Sequence, residues 1–271
     1  MNRNIPGPVG PISAPSFNDR ASITEVTLPT LGIPYYLPDK SLLFPSGNIR
    51  ISAMTVAEEK MMTQKNADPS KKMCQLLARV CELKGMKAEN LLVADQFFLL
   101  LKVRSLSYGN VYGFQQRCDD CGHQWRHELN LETDLTLNMA DEEWQEPFSV
   151  DLPVSGKNVK YRLLRAVDEI ELNTKKIRRD APNEDPTFVS ILARCIVAVD
   201  DQELGSQRIA EAWLEKQAVR DREAITNSLK SNSPGYSGEI SIVCPQCGYI
   251  HEAAVPMTAD FFRSNVSSGT V

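Results

Sequence analysis

Four of the seven cysteines fall in two matched contexts, Cys118-Asp119-Asp120-Cys121-Gly122 and Cys244-Pro245-Gln246-Cys247-Gly248. Two thiolates three residues apart bind one metal ion when the chain turns sharply between them. A glycine directly after the second cysteine permits the left-handed backbone that such a turn favours. Strand-like stretches flank both motifs, at 111–116 and 124–131, then at 239–243 and 250–255. Two hairpins that each present a cysteine pair make a zinc ribbon with a closed, tetrahedral site of four sulfurs. Cys118, Cys121, Cys244 and Cys247 are therefore expected to hold one structural zinc ion. Rubredoxin-type iron has the same ligand set, and zinc is the commoner occupant. A redox pair of the thioredoxin kind is disfavoured, because neither motif lies at the strand-to-helix junction that lowers a thiol pKa.

A closed four-thiolate site has no open position for water or substrate, so it stabilises a fold rather than catalysing. The other cysteines, Cys74, Cys81 and Cys195, lie on apolar helical faces and read as buried thiols. His123, His127 and His251 all lie beside the cysteine motifs and read as surface hairpin residues, which leaves no histidine for a Ser-His or Cys-His couple elsewhere. The chain carries no Gly-rich phosphate loop, nucleophile elbow or His-Glu metal motif. Glu58-Glu59 and Asp141-Glu142-Glu143 read as helix starts or solvated faces. The run Lys175-Lys176-Ile177-Arg178-Arg179 reads as the wet side of an amphipathic helix. No enzymatic activity is expected.

The 271 residues are 42% hydrophobic and 24% charged, ordinary globular composition with length for two modest cores. No apolar run approaches a membrane span, and the first residues lack the apolar core of a secretory signal, so a cytosolic, reducing compartment is expected. A net charge of −5 and a pI of about 5.4 argue against a general nucleic-acid binder.

The two cysteine motifs are 122 residues apart, far beyond ordinary ribbon spacing, and an internal repeat accounts for the gap. Asp95, Gly109, Cys118, Cys121, Gly122 and Asp134 each recur 126 positions later, as Asp221, Gly235, Cys244, Cys247, Gly248 and Asp260. Upstream, Pro45-Ser46-Gly47-Asn48 leads into Ile49-Arg50-Ile51 as Ser155-Gly156-Lys157-Asn158 leads into 159–163, each a turn entering a strand. Thr55 with Glu58 fits a capping box, while its counterpart around Arg165 to Ile170 offers acidic residues alone. Asp68-Pro69 and Asp185-Pro186 each cap a further helix. Between Arg79 and Asp95 the first copy is 11 residues shorter than the second between Arg194 and Asp221, which places an insertion around 200–217. The most apolar helix is expected over 88–107; its counterpart over 219–229 is polar and peripheral. Residues 1–30 are rich in proline and poor in large apolar groups, so they read as a loose terminus or as an arm that orders against a partner. The fold expected is thus α+β: an arm (1–30) and two diverged strand–helix–Cys-hairpin copies (31–135 and 136–271), joined through a split zinc ribbon.

Leu28-Pro29, Leu43-Phe44-Pro45-Ser46-Gly47, Met54-Thr55, the stretch from Ile191 to Ile196, and Cys244-Pro245-Gln246-Cys247-Gly248 through Ala254-Val255-Pro256 to Phe261-Phe262 resemble the baseplate hub subunits and hub-assembly proteins of T-even-type contractile-tailed bacteriophages. That resemblance covers roughly 28–265. It implies a structural or assembly role at the tail tip, made in the host cytoplasm and placed in the virion, with other hub and tail proteins as partners. The rival reading is a zinc-ribbon nucleic-acid-binding accessory protein. Arg117, His123, Trp125, Arg126 and His127 suit it in part; Glu239, Glu252 and Ala253-Ala254 do not.

Overall fold

The computed structural model describes residues 17–64, 68–178, 187–237 and 239–263. Strand β1 (Ile23–Thr27) pairs antiparallel with β2 (Asn48–Ser52), Thr27 opposite Asn48, and Cys81 continues the ladder opposite Ile51. Helix α1 (Val56–Thr63) starts where sequence chemistry places it: the Glu58 carboxylate takes the Thr55 N–H at 2.7 Å and its hydroxyl at 2.6 Å. Arg20 closes on the other Glu58 oxygen at 2.5 Å. Helix α2 (Pro69–Val80) is capped by Asp68, whose carboxylate accepts the Ser70 N–H at 2.9 Å, while Pro69 loses no bond by lacking an N–H.

Helix α3 (Val93–Tyr108) is buried on most of its circumference, as its composition requires, but it begins later than the apolar run suggests. A 3-10 turn occupies Ala88–Asn90, and Leu91 and Leu92 are extended. The Leu91 carbonyl accepts the Ala166 N–H at 2.9 Å and the Val93 N–H donates to Leu164 O at 3.0 Å. Pairing with a distant segment therefore overrides helix propensity there. Next come β3 (Val111–Arg117), β4 (Gln124–Asn130) and the short β5 (Leu137–Asn138).

The later half runs β6 (Phe148–Asp151), β7 (Asn158–Tyr161), α4 (Ala166–Arg178), α5 (Thr187–Cys195), β8 (Ile196–Val199), β9 (Gln202–Glu203), α6 (Gln207–Leu214) and α7 (Val219–Ser231). It closes with β10 (Gly235–Tyr236), β11 (Glu239–Val243) and β12 (Ile250–Ala254). Strands β6 to β9 form one four-stranded antiparallel sheet in chain order. The stretch 200–217, read from sequence as an insertion, contains β9 and α6, and α6 packs on α5. Only Asp221 and Ile225 of α7 are buried, in line with a peripheral helix.

Several bonds of the first half have a counterpart in the second. Asp151 stands opposite Asn158 as Thr27 does Asn48, and Tyr161 opposite Ile196 as Ile51 does Cys81. The Leu28 N–H donates to Gly47 O at 2.9 Å; the Leu152 N–H donates to Lys157 O at 2.8 Å. Asp168 takes the Arg165 N–H at 2.8 Å, as Glu58 takes that of Thr55. Asp95, third in α3, accepts the Thr30 N–H at 3.3 Å; Asp221, third in α7, accepts those of Val154 at 2.7 Å and Ser155 at 3.0 Å.

The largest core joins residues distant in sequence. Leu28, Phe44, Ile51, Leu76 and Leu99 meet Ile240, Ile242, Val255, Phe261 and Phe262 from the far end of the described chain. A second core of Leu152, Val159, Leu192, Ile196 and Ile225 serves the later half, and Leu92, Trp144, Tyr161 and Cys195 form a third cluster. The arm boundary needs correction. Ile23–Thr27 belong to a sheet, and Leu28 and Thr30 are buried, so an arm ends before Ile23 rather than at residue 30. Thr30 is held by Asp95, 65 positions away, a partner that local composition does not reveal. Residues 1–16, the cap at Asp185-Pro186 and Arg179 of the basic run lie outside the described residues. Among the described residues no helix is long and apolar enough to cross a membrane.

Candidate metal centre

Both cysteine motifs sit at the tips of hairpins in the same register: Arg117 opposite Gln124 in the β3–β4 pair, Val243 opposite Ile250 in the β11–β12 pair. Each tip closes with the same two bonds. Cys118 N–H donates to His123 O and Cys244 N–H to Tyr249 O, both at 2.8 Å. Gly122 N–H donates to Cys118 O and Gly248 N–H to Cys244 O, both at 3.0 Å. Gly122 and Gly248 have φ of +74° and +76°, the left-handed geometry that a side chain would strain. The sequence reading of these turns and their glycines therefore matches the observed backbone.

The structure brings all four predicted sulfurs together, each within 4.8 Å of the others. Cys118 Sγ lies 3.5 Å from Cys247 Sγ, and Cys121 Sγ lies 3.7 Å from Cys244 Sγ. These spacings are too long for disulfides, which need about 2.05 Å. They approach the ~3.8 Å edge of a tetrahedron whose arms are a zinc–sulfur bond of about 2.3 Å. The pairing is crossed: the first cysteine of each tip approaches the second of the other, the reciprocal pattern of a twofold contact. Cys118 and Cys244 are buried, while Cys121 and Cys247 face solvent.

The electrostatics suit a divalent cation. Burial opposes ionisation of Cys118, yet the Cys121 N–H, the His251 side chain and other donors outweigh it and bring that thiol down to about 6. At Cys247 the Tyr249 N–H favours the thiolate, but burial and the sulfurs of Cys121, Cys118 and Cys244 push the thiol up to about 12. Cys121 is likewise raised. Cys118 thus ionises readily, while ionisation of Cys121 and Cys247 is resisted by the neighbouring sulfurs.

His123 stacks on Trp125 with centroids 5.8 Å apart, and His127 meets the edge of Phe114 at 5.5 Å. His251 departs from the expectation of a surface residue: it is 4% exposed, and its Nδ1 lies 3.3 Å from Asp119 Oδ2, linking one hairpin to the tip of the other. Sequence alone marks it only by alternation, since His251 shares the inward register of Ala253 and Val255.

The hairpins are anchored from below. Tyr112 hydroxyl donates to Pro256 O at 2.9 Å and Tyr108 hydroxyl to Phe262 O at 3.1 Å. Arg104, fully buried, spans the rings of Tyr112 at 4.9 Å and Phe261 at 5.5 Å. The outer faces are not uniformly basic. Arg126 lies across Gly113, where a Cβ would meet its guanidinium, and Glu252 accepts from the Ser241 hydroxyl at 2.7 Å. Cys74, Cys81 and Cys195 are buried, and burial raises each thiol; Cys74 and Cys195 lie on helices as expected, whereas Cys81 follows the end of α2 in extended backbone, bridged to Ile51.

Fold and cluster together define an α+β protein in which two hairpins from distant parts of the chain converge on four cysteines. A family model described as T4 bacteriophage base plate protein matches residues 37–263, a span that contains both cysteine motifs and their supporting helices. The chain belongs to this family of baseplate proteins. Neither the curated proteins nor the solved structures contain a match to it.

Proposed function

We propose that the chain is a structural or assembly protein of the tail baseplate hub, without enzymatic activity, whose partners are other hub and tail proteins in the virion. The observation that carries this reading is the baseplate-family match across the whole body from residue 37 to 263. In this reading Cys118, Cys121, Cys244 and Cys247 hold one structural zinc ion, which when bound neutralises the thiolates and cross-links the hairpins. The 3.5 and 3.7 Å crossed sulfur contacts support it. The body is two diverged copies of one strand–helix–hairpin unit, joined at a split zinc ribbon. Paired bonds such as Leu28–Gly47 with Leu152–Lys157, and the matching tips, support that descent. The mixed hairpin surfaces and the net charge of −5 give little for a phosphate backbone to bind. Affinity capture of the tagged chain from infected cells, beside mass spectrometry of purified particles, tests the proposal. Recovery with baseplate proteins in either sample is expected. Absence from both, or selective recovery with nucleic acid, contradicts it.

A further inference from the structure

Two adjoining hollows run along one side of the molecule, of about 790 and 320 Å³, and share Val93, Phe97, Ile191 and Met257. Their walls come from helices and from the segments 233–237 and 254–257; Leu92, Leu100, Leu192 and Cys195 are buried core residues, while Phe97, Ile191 and Met257 are only partly covered. Helix α5 contributes Phe188, Ile191, Leu192 and Cys195, an i, i+3, i+4, i+7 stripe, and α3 contributes Val93, Phe97 and Leu100. Of this stripe Leu192 and Cys195 are buried, Ile191 is half-buried, and Phe188 is 43% exposed with the Arg222 guanidinium 5.2 Å from its ring. The larger hollow has one charged lining residue, Lys230 on α7, and the smaller has one, Glu169 on α4. Neither forms an ion pair among the described residues. Glu169 lines only the smaller hollow and Lys230 only the larger, on either side of the four residues that the two hollows share. Burial and nearby Asp168 hold the Glu169 carboxyl above its usual range.

We propose that this groove docks an amphipathic helix of a partner tail protein, its apolar stripe on Phe97, Ile191 and Met257 and its N-terminal end toward Glu169. Helix faces that interdigitate at i, i+3, i+4 spacing are the recurring means by which a groove receives a helix. The charge placement selects its direction. A helix carries partial positive charge at its N-terminus and negative charge at its C-terminus, so Glu169 and Lys230 complement the two ends. Opposed signs at the two ends also select a partner with a basic residue at one end of its stripe and an acidic one at the other. Methionine at Met73 and Met257 gives the lining the adaptability common in surfaces that receive helices. The inference rests on the structural reading above only in naming the partner a tail protein; the groove and its charges are independent of the metal.

The test uses the full chain and labelled helical peptides of about 14 residues, roughly 21 Å long, with apolar residues at i, i+3, i+4 and i+7. One peptide has Lys in its first turn and Glu in its last; a second has Glu at both ends; a third has Lys at both. Fluorescence anisotropy should show the mixed peptide binding wild type about tenfold more tightly than either other. Glu169→Lys, which makes both ends of the groove basic, should transfer that preference to the doubly acidic peptide. Lys230→Glu should transfer it to the doubly basic one, and circular dichroism checks that both variants remain folded. Equal binding of all three peptides, or none to wild type, overturns the proposal. So does binding that appears only after deletion of residues 2–16, which would make the chain's own arm the occupant. Peptide binding that competes with a concentration-dependent dimer would instead assign the groove to a second copy.

Discussion

Replacing Phe261 with alanine should reveal how firmly the last described segment clasps the first half of the chain. Phe261 is fully buried, 5.0 Å from Tyr112 and 5.0 Å from Phe262 in edge-on contacts, and lies under the Arg104 guanidinium at 5.5 Å. Truncating a buried phenylalanine costs about 3–5 kcal/mol, from lost transfer energy and the cavity left behind. Against a typical domain stability of about 5–15 kcal/mol, Phe261→Ala should remove a large share. A cycle with Arg104→Met separates the ring–cation contact from simple burial. A desolvated cation over an aromatic face contributes about 2 kcal/mol, so the two losses should fall short of additivity by roughly 1–2 kcal/mol. Equilibrium urea unfolding followed by tryptophan fluorescence reads both quantities. A Phe261→Ala loss below about 1 kcal/mol would refute the docked C-terminal segment, and strict additivity would refute the contact with Arg104.

Other expectations follow from the same structure. Strong chelation, or Cys121→Ser, frees the 122 residues between Cys121 and Cys244 from closure, and a thermal melt should fall by roughly 10 °C; an unchanged melt would make the metal peripheral to the fold. Asp95, fully buried beside Thr30 and Tyr35, has its carboxyl raised to about 6, burial outweighing the hydrogen bonds that it accepts. Its folded-state pKa lies above the usual value of 3.8, so its contribution is fully present below about pH 4 and is lost as pH rises through about 6, up to ~3 kcal/mol. Asp95→Asn should flatten that part of a stability–pH profile, and an equal slope in the variant would refute the assignment. Deleting residues 2–16 should leave the melt unchanged while weakening incorporation into hub complexes; deleting 2–27 also removes β1 and should lower the melt. Full incorporation of the shorter deletion would show that the arm grips nothing.

What the sequence made legible is local. The Thr55–Glu58 box, the Asp68-Pro69 start and the glycines after each cysteine pair are short-range chemistry, and each has the predicted geometry. The four-sulfur grouping was legible because the two motifs share one register across 126 positions. Long-range effects were not. β1 was hidden in a proline-rich stretch because its partner strand begins 21 residues after it ends and Thr30 is fixed by Asp95. Leu91 and Leu92 looked helical by composition and are extended because Ala166 and Leu164 pair with that backbone. The same register flagged Asp95 with Asp221 without their chemistry. Burial raises the first carboxyl, whereas the N–H groups of Val154 and Ser155 outweigh desolvation and lower the second. Asp134 and Asp260 share the register without sharing a role: Asp134 accepts the Asn130 N–H at 2.8 Å, while Asp260 pairs with Arg263 at 3.1 Å.

The central claim is that Cys118, Cys121, Cys244 and Cys247 clasp one ion between two hairpins, and X-ray absorption at the zinc edge tests it most directly. Protein purified without added metal should contain one zinc per chain, with a first shell of four sulfurs at about 2.3 Å. Cys121→Ser and Cys247→Ser should each lose one sulfur from that shell. A chain that is folded and metal-free as purified, or a shell containing nitrogen with fewer than four sulfurs, would contradict the account.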